Sequence, residues 1–211
     1  MRPGAYEITL IGPDQNQMTR EYTNVNGYGG SVQIRFNPKT TERPRGAISL
    51  QRLAHKVPKA AGKEYAKARR ERDKKHAAEA ERHYLKALEL DPQFLEAAND
   101  LGALYYTLAR YADSLRVLEQ ARVIEPDSPQ VLANLSANLM ALGRHGDAEP
   151  LARRSMAIDP TSIRTRYLLG LSRMGQRKLD AETRGLLEEA SLEIPHAKFA
   201  LERFIAVSGA R

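Results

Sequence analysis

The chain has 211 residues and a formal net charge of +7, with 42% hydrophobic and 28% charged residues. This balance is typical of a folded globular chain and excludes a largely disordered one. The absence of cysteine excludes disulfides, zinc–thiolate sites and cysteine nucleophiles. No apolar run approaches the roughly 20 residues that cross a bilayer, and residues 1–4 lack a signal-peptide core. We therefore expect a cytoplasmic protein, or a periplasmic or cell-envelope protein whose chain begins here downstream of an export signal.

The positive charge is concentrated in one segment. Residues 52–86 contain twelve Lys or Arg and five Asp or Glu, whereas residues 87–211 contain fifteen and seventeen. The overall pI of about 9.7 is therefore not by itself a sign of a nucleic-acid-binding domain.

Residues 1–50 have the pattern of short strands. Three stretches rich in β-branched residues, Tyr6–Ile11, Arg20–Val25 and Ser31–Phe36, are separated by clusters of Gly, Pro and Asn. This pattern predicts a small antiparallel β segment, with a fourth short strand at Ala47–Leu50. Three or four strands are near the lower limit for independent stability.

The start of this segment, Pro3-Gly4-Ala5-Tyr6 followed by a strand, resembles the closing strands of bacterial carboxypeptidase-regulatory-like β-sandwich modules. The resemblance implies that residues 1–50 are the end of a truncated β-sandwich from a longer exported protein. The alternative is a small β-meander that covers the basic helix after it.

Residues 51–60 are predicted to form a linker that leads into a basic run at 56–75. Because Glu64 and Glu71 interrupt the positive charge and Tyr65 is the run's single aromatic residue, a solvated helix face is the favoured interpretation. An acidic protein partner comes next, and then nucleic acid or an acidic lipid surface. The basic patch consists of Lys56, Lys59, Lys63, Lys67, Arg70 and Lys74.

The rest of the chain is periodic. Pro92, Pro126, Pro160 and Pro195 are separated by 34, 34 and 35 residues, and a small residue stands five positions before each proline. Two amphipathic helices fit between successive prolines. A fixed period of this length predicts a stacked repeat architecture.

Within one period, a Leu-Gly-x-x-Tyr phrase marks the first helix, small and large residues alternate along the second, and a proline closes the unit. In residues 95–128 these positions are Leu101, Gly102, Tyr105, Ser114, Leu118, Ala121 and Pro126. This order is similar to the tetratricopeptide-repeat (TPR) family. The resemblance implies a mainly α fold, in which antiparallel helix pairs stack into a right-handed superhelix whose concave groove is lined by the first helices.

The predicted array covers residues 61–211. It consists of a degenerate repeat at 61–94, repeats at 95–128, 129–162 and 163–197, and a C-terminal capping helix at 196–207. In the degenerate repeat, charged residues occupy the signature positions of the first helix. The capping helix is expected to pack back on the stack through Phe199, Phe204 and Ile205.

The third full repeat departs from the pattern. Arg173 stands where an aromatic residue or leucine is usual. The distance from Gly175 to Ala181 is one residue longer than that from Gly143 to Ala148, so the loop there is predicted to differ locally.

Catalytic and metal-binding patterns are not found in the sequence. Neither a P-loop nor a nucleophile-elbow motif occurs. His76 and His83 are seven residues apart, roughly 10 Å along a helix, which is too far for two ligands of one metal ion. We therefore predict a protein that is not an enzyme and has no cofactor and no metal site.

The resemblance also implies which side chains face the groove. Small residues there leave room for a ligand backbone, asparagines offer a donor and an acceptor, and Tyr or Met supply apolar contact. The predicted groove residues are Asn99, Ala103, Tyr106, Gln130, Asn134, Ala137, Met140, Arg164 and Tyr167. The alternative is that these residues only pack helices together.

TPR domains that hold a C-terminal carboxylate use a set of Lys, Asn and Arg residues. Asn134 and Arg164 fall on two of those positions, whereas the others are Asn99, Ala103 and Leu168. We therefore expect the ligand to be an extended or helical peptide segment rather than a chain terminus.

The leading functional hypothesis is a bacterial, non-catalytic adaptor that binds a protein or peptide partner in its groove. One alternative is a cell-envelope assembly or chaperone-like factor. Another is binding of nucleic acid or an acidic surface through the basic segment 52–86.

Overall fold

The structure is a computed structural model that describes residues 4–11, 17–25, 29–35 and 55–209. The chain divides between His55 and Lys56 into two compact units. The two units are described separately below.

The first unit contains a three-stranded sheet. Its strands are β1 (Gly4–Ile11), β2 (Gln17–Val25) and β3 (Gly29–Arg35), in the order β2-β1-β3. β1 pairs antiparallel with β2 but parallel with β3, which corrects the prediction that the whole segment is antiparallel. β2 and β3 lie on opposite sides of β1 and run in opposite directions. β1 is therefore antiparallel to β2 and parallel to β3. The strand predicted at 47–50 lies outside the described residues.

The second unit is helical, which confirms the prediction of a mainly α chain. Its helices are α1 (Lys59–Asp73), α2 (Ala77–Leu90), α3 (Leu95–Thr107), α4 (Tyr111–Ile124), α5 (Pro129–Ala141), α6 (His145–Ile158), α7 (Ile163–Gly175), α8 (Ala181–Ser191) and α9 (Ala197–Ser208). Within the described ranges, no helix has both the length and the apolar character that a membrane span requires. The domain boundaries drawn from the sequence stay predictions.

The turn inside each helix pair has the same backbone conformation. Lys75, Ala109, Gly143 and Arg177 have φ angles of 66°, 56°, 73° and 59°, and they are spaced 34 residues apart along the chain. A residue in the left-handed region ends the first helix and reverses the chain. Short turns of this kind make the two helices of a pair antiparallel neighbours.

Close contact between the two helices of a pair depends on small residues. A Cβ atom added at Gly102 of α3 would lie 2.5 Å from Cγ of Leu118 on α4. Beside this contact, the buried Ser114 hydroxyl donates a hydrogen bond of 2.6 Å to the carbonyl of Gly102. In the next pair the equivalent positions bond in the opposite direction, since Ser136 of α5 donates to the carbonyl of Ala148 on α6 at 3.1 Å.

Successive pairs share their apolar interior. The second helix of each pair contacts the first helix of the next, and α3, α5 and α7 contact one another in turn. Large side chains that are fully buried recur along the stack, among them Leu101, Leu118, Leu135, Leu169 and Leu187. First helices therefore form one continuous inner wall, and second helices form the outer layer.

The capping helix α9 packs differently from the prediction. Its buried residues are Ala197, Ala200 and Phe204, which lie on one helical face. Phe204 is buried as expected, but Phe199 and Ile205 are 70% and 49% exposed. Successive residues of a helix are rotated by about 100° around its axis. Phe199 is two residues after Ala197 and Ile205 is one residue after Phe204, so neither lies on the buried face.

The loop in the third full repeat differs from the others, as predicted. Asp180 caps α8 by accepting a hydrogen bond of 2.9 Å from the Thr183 backbone N–H. Arg177, not Gly175, has the left-handed turn conformation of Gly143. The equivalents of Gly143 and Ala148 are therefore Arg177 and Thr183. The extra residue therefore lies between these two positions.

The glycine contacts lead to a stability prediction. We expect Gly102→Ala to lower the free energy of unfolding by about 1–3 kcal/mol, because Leu118 must move to admit the methyl group. Gly185 of α8 is the matched control, since no neighbouring atom lies within 4 Å of an added Cβ. Gly185→Ala should raise the free energy of unfolding by about 0.5–1 kcal/mol through helix propensity. Urea unfolding followed by circular dichroism measures both, and equal stability of the two variants would contradict the close contact.

Candidate functional site

A row of hydrogen bonds joins the first helices of three repeats. The Asn134 side-chain nitrogen donates to Oδ1 of Asn99 at 2.8 Å, and Nη2 of Arg164 donates to Oδ1 of Asn134 at 2.8 Å. Because a guanidinium can only donate, Arg164 fixes which way the Asn134 amide points. We call these three residues the polar row; it connects α3, α5 and α7 across the inner wall.

An open cavity of about 740 Å³ lies beside the polar row. Asn134 is one helical turn before Ala137, and Arg164 is one turn before Tyr167. The cavity is bounded by α3, α5 and α7, the start of α6, the turn after α7, and α9. Apolar side chains dominate its wall: Tyr106, Ala137, Met140, Tyr167, Leu168, Leu171, Met174, Leu179 and Val207. We call the cavity and the polar row together the groove.

The predicted groove residues do not all meet there. Tyr106, Ala137, Met140 and Tyr167 line the cavity, and the three polar residues form the row beside it. Two other predicted residues, Ala103 and Gln130, are not among those that line the cavity. Ala103 is half-buried on α3, and Gln130 is exposed near the start of α5, where its side-chain oxygen accepts a hydrogen bond from Ser128.

The sequence did not predict the contribution of α9 to the groove. His196, Arg203 and Val207 line the cavity, and the His196 ring packs edge-on against Tyr167 with 5.1 Å between centroids. Their spacing of seven and four residues places them on one helical face. This spacing is visible in the sequence, but nothing in it indicates that this face of α9 lies against α7.

Arg164 is charged and accessible in the groove. Burial lowers the pKa of its guanidinium, and the neighbouring Tyr106 opposes this effect. The residue as a whole is nevertheless exposed, and a guanidinium stays protonated at neutral pH even when its pKa falls. Arg164 can therefore donate to a ligand as well as to Asn134.

Arg173 anchors the wall that α7 contributes to the groove. Its side chain is 7% exposed and donates to Glu149 at 2.9 Å and to Asp180 at 2.6 Å. The equivalent residue Tyr105 instead packs in the core and donates its hydroxyl to Glu81 at 2.8 Å. Arginine at this position therefore replaces an apolar contact by ion pairs that tie α7 to α6 and to the start of α8.

Glu149 is the centre of these ion pairs. Burial alone raises its pKa, but hydrogen bonds from Lys178, Gln176, Arg153 and Arg173 outweigh burial and lower the pKa to about 2. The carboxylate therefore stays ionised in the folded protein throughout the neutral and mildly acidic range.

The basic patch lies along α1 and the residues beside it. All six cations, Lys56, Lys59, Lys63, Lys67, Arg70 and Lys74, are exposed. Two of them pair with carboxylates on the same helix: Lys67 with Glu64 at 2.6 Å and Lys74 with Glu71 at 2.9 Å. Glu64 also accepts from His83 of α2 at 2.6 Å. Both acidic residues that interrupt the basic run, Glu64 and Glu71, thus pair with neighbouring cations.

Tyr65, the aromatic residue of the basic run, is engaged in packing. Its hydroxyl donates to Asp100 at 2.9 Å. Its ring lies 4.8 Å from Phe94 and 6.0 Å from Tyr84, between centroids. The ring is therefore not free to stack on a nucleic-acid base.

Metal binding has no visible support in the described part of the chain, where no group of three or more His, Asp or Glu side chains could hold an ion.

Comparison with known proteins identifies the repeat. Residues 94–124, which cover α3 and α4, match the family model of the tetratricopeptide repeat. Tetratricopeptide repeat protein 28 of human and mouse is 28% identical over 125 residues, or 59% of this chain. The chain spans about 5% of the length of those two relatives.

Solved structures agree with this match. MamA from Desulfovibrio magneticus has a TM-score of 0.65 at 18% identity, with 73% of this chain and 88% of that chain covered. The helical unit of this chain has the tetratricopeptide-repeat fold. PilW, described as a type IV pilus biogenesis factor, has a TM-score of 0.66 at 19% identity over 72% of this chain and 71% of its own. YrrB, described as a TPR protein with an unusual peptide-binding site, has a TM-score of 0.59 at 20% identity, with coverages of 70% and 77%.

The Glu149 ion pairs lead to a prediction about this TPR array. Glu149→Gln should lower the free energy of unfolding by about 3 kcal/mol at neutral pH, because it leaves buried Arg173 with fewer counter-charges. The folded-state pKa of about 2 lies below the ordinary value of 4.5. The stabilisation by Glu149 is therefore complete above the ordinary pKa and is lost as pH falls towards 2. Urea unfolding of both proteins at neutral pH and at about pH 3 should show the difference shrink.

The control for this experiment is Glu119→Gln on α4, whose carboxylate pairs with Arg122 at an exposed site. Its effect should stay below about 0.5 kcal/mol at either pH. If Glu149→Gln is no more destabilising than this control, the ion pairs do not hold the wall of the groove.

Proposed function

We propose that the protein is a non-catalytic scaffold whose TPR array binds a peptide segment of a partner protein in the groove. The observation that supports this most directly is the open, apolar cavity on the inner wall. A cavity with apolar walls and a few polar groups beside it is the usual form of a ligand site.

The exposed fraction of each groove residue distinguishes residues that can contact a ligand from residues that only pack helices together. Asn134 and Ala137 are 8% and 5% exposed, so they shape the wall, as the packing alternative predicts. Tyr106 is 38% exposed, and Met140 and Tyr167 are only half-buried. Covering their exposed apolar surface removes it from water, which favours binding of a ligand. We therefore assign direct contact to these three residues.

The polar row supplies hydrogen bonds for a ligand's main chain. The Asn99 side-chain oxygen is used by Asn134, and one Arg164 nitrogen is used by the same residue. The Asn99 amide nitrogen and the other Arg164 nitrogens have no hydrogen-bond acceptor among the described residues. They can donate to the carbonyl groups of an extended or helical segment.

Nucleic-acid binding at the basic patch is less favoured than peptide binding in the groove. Two of the six cations are neutralised by carboxylates on α1, and Tyr65 is packed between Phe94 and Tyr84. Single-stranded nucleic acid is typically held by exposed aromatic rings next to a basic track. The basic patch provides the track without the rings, so we assign it the role of a solvated face on a terminal repeat.

The groove assignment predicts which substitutions weaken partner capture. Tyr106→Ala removes an exposed apolar contact, and Ala141→Gln places a larger side chain at the cavity wall. Each should reduce the recovery of bound partner by about 10-fold, equivalent to roughly 1.4 kcal/mol. Affinity capture from source cells on the immobilised full chain, followed by quantitative mass spectrometry, measures the recovery.

Two substitutions outside the groove are matched controls. Val123→Ala removes an exposed apolar side chain on α4, and Ala78→Gln enlarges an exposed alanine on α2. Both should capture the same partners as the unmodified chain. If the groove variants retain their helical content by circular dichroism and still capture as much partner as the controls, the groove is not the binding site.

A further inference from the structure

The arginines from residue 110 to residue 203 fall into two groups. Nine of the twelve form an ion pair with a carboxylate. The other three are Arg164, Arg177 and Arg203, which have no carboxylate within ion-pair distance among the described residues. Arg177 and Arg203 line the cavity, and Arg164 belongs to the polar row beside it. The unpaired arginines of this half of the array are thus gathered at the groove.

Negative charge is missing from the same surface. The residues that line the cavity include two arginines and two histidines, His145 and His196, but no aspartate or glutamate. By contrast, exposed arginines of α4 such as Arg116 and Arg122 pair with carboxylates of their own helix. Because no carboxylate among the lining residues offsets these cations, we expect the cavity to have a positive potential.

The positive and apolar groups are arranged in a definite order. Arg164 lies at the start of α7 and Arg177 just after its end, about 20 Å apart at 1.5 Å per residue. Tyr167, Leu171 and Met174 lie between them on the cavity side of α7. Arg203 faces the same cavity from α9. An apolar strip is thus flanked by a cation at each end.

We infer that the groove selects partner segments that combine large apolar side chains in the middle with acidic side chains on both flanks. This inference rests on the proposed function and adds the chemistry of the ligand. Apolar anchors cover Tyr167, Leu171 and Met174, while carboxylates pair with Arg164 at one end and with Arg177 or Arg203 at the other. A segment of about 13 helical residues, or fewer if extended, spans the distance between the cations.

The test is to pan a displayed library of random peptides against the full chain and against the double variant Arg177→Gln/Arg203→Gln. Peptides recovered on the unmodified chain should be enriched in large apolar residues and also in Asp and Glu. On the double variant the apolar enrichment and the acidic enrichment on one flank should persist, because Arg164 remains, whereas the acidic enrichment on the other flank should disappear. The matched control is Arg116→Gln/Arg122→Gln, which removes two paired arginines of α4 and should leave both enrichments unchanged.

Fluorescence anisotropy on one recovered peptide then gives the magnitude. Replacing its Glu residues by Gln should weaken binding by about fivefold, and added salt should reduce that difference because the pairs are exposed.

Apolar enrichment without acidic enrichment on the unmodified chain would overturn the inference and leave the proposed function standing. Recovery of no groove-dependent peptide, judged with Ala141→Gln, would overturn both. Sedimentation of a dimer that Tyr106→Ala dissociates would show instead that a second copy of the chain occupies the groove.

Discussion

The helical unit depends on apolar surface that one helix pair exposes and the next pair covers. A single pair packs Leu118 against Gly102, but the far sides of both helices need another layer. The close contact at Gly102 brings the two helices near enough for the neighbouring pair to cover both. Everything on the inner wall follows from this arrangement, since it puts every first helix on the same side of the stack. The groove is therefore a consequence of stacking rather than a separate structural element.

Ion pairs replace apolar contacts at two places, and both lie at departures from the repeat. In the degenerate first repeat, Glu64 joins Lys67 and His83 across α1 and α2. In the third full repeat, Arg173 occupies a core position and is satisfied by Glu149 and Asp180. A buried arginine is tolerated only when hydrogen bonds and counter-charges surround it. Both replacements keep the helix pairs together while changing the chemistry of the surface beside them.

The sequence predicts the helix pairs because proline spacing and helical periodicity are local signals, and Pro126 or Pro160 marks a boundary directly. It does not predict features that depend on contacts between distant residues. Ala109 and Arg177 adopt the left-handed turn conformation, although neither residue type prefers it. Arg203 reaches the groove only because α9 folds back on α7 and α8.

Native-state hydrogen exchange of the full chain and of Leu135→Ala tests the shared interior most directly. Leu135 is fully buried in the middle of the stack, and its truncation leaves a cavity between helix pairs. If the pairs share one interior, amide protection should fall by a similar factor throughout α3 to α8. A loss confined to α5 and α6, with the neighbouring pairs as protected as before, would contradict the account.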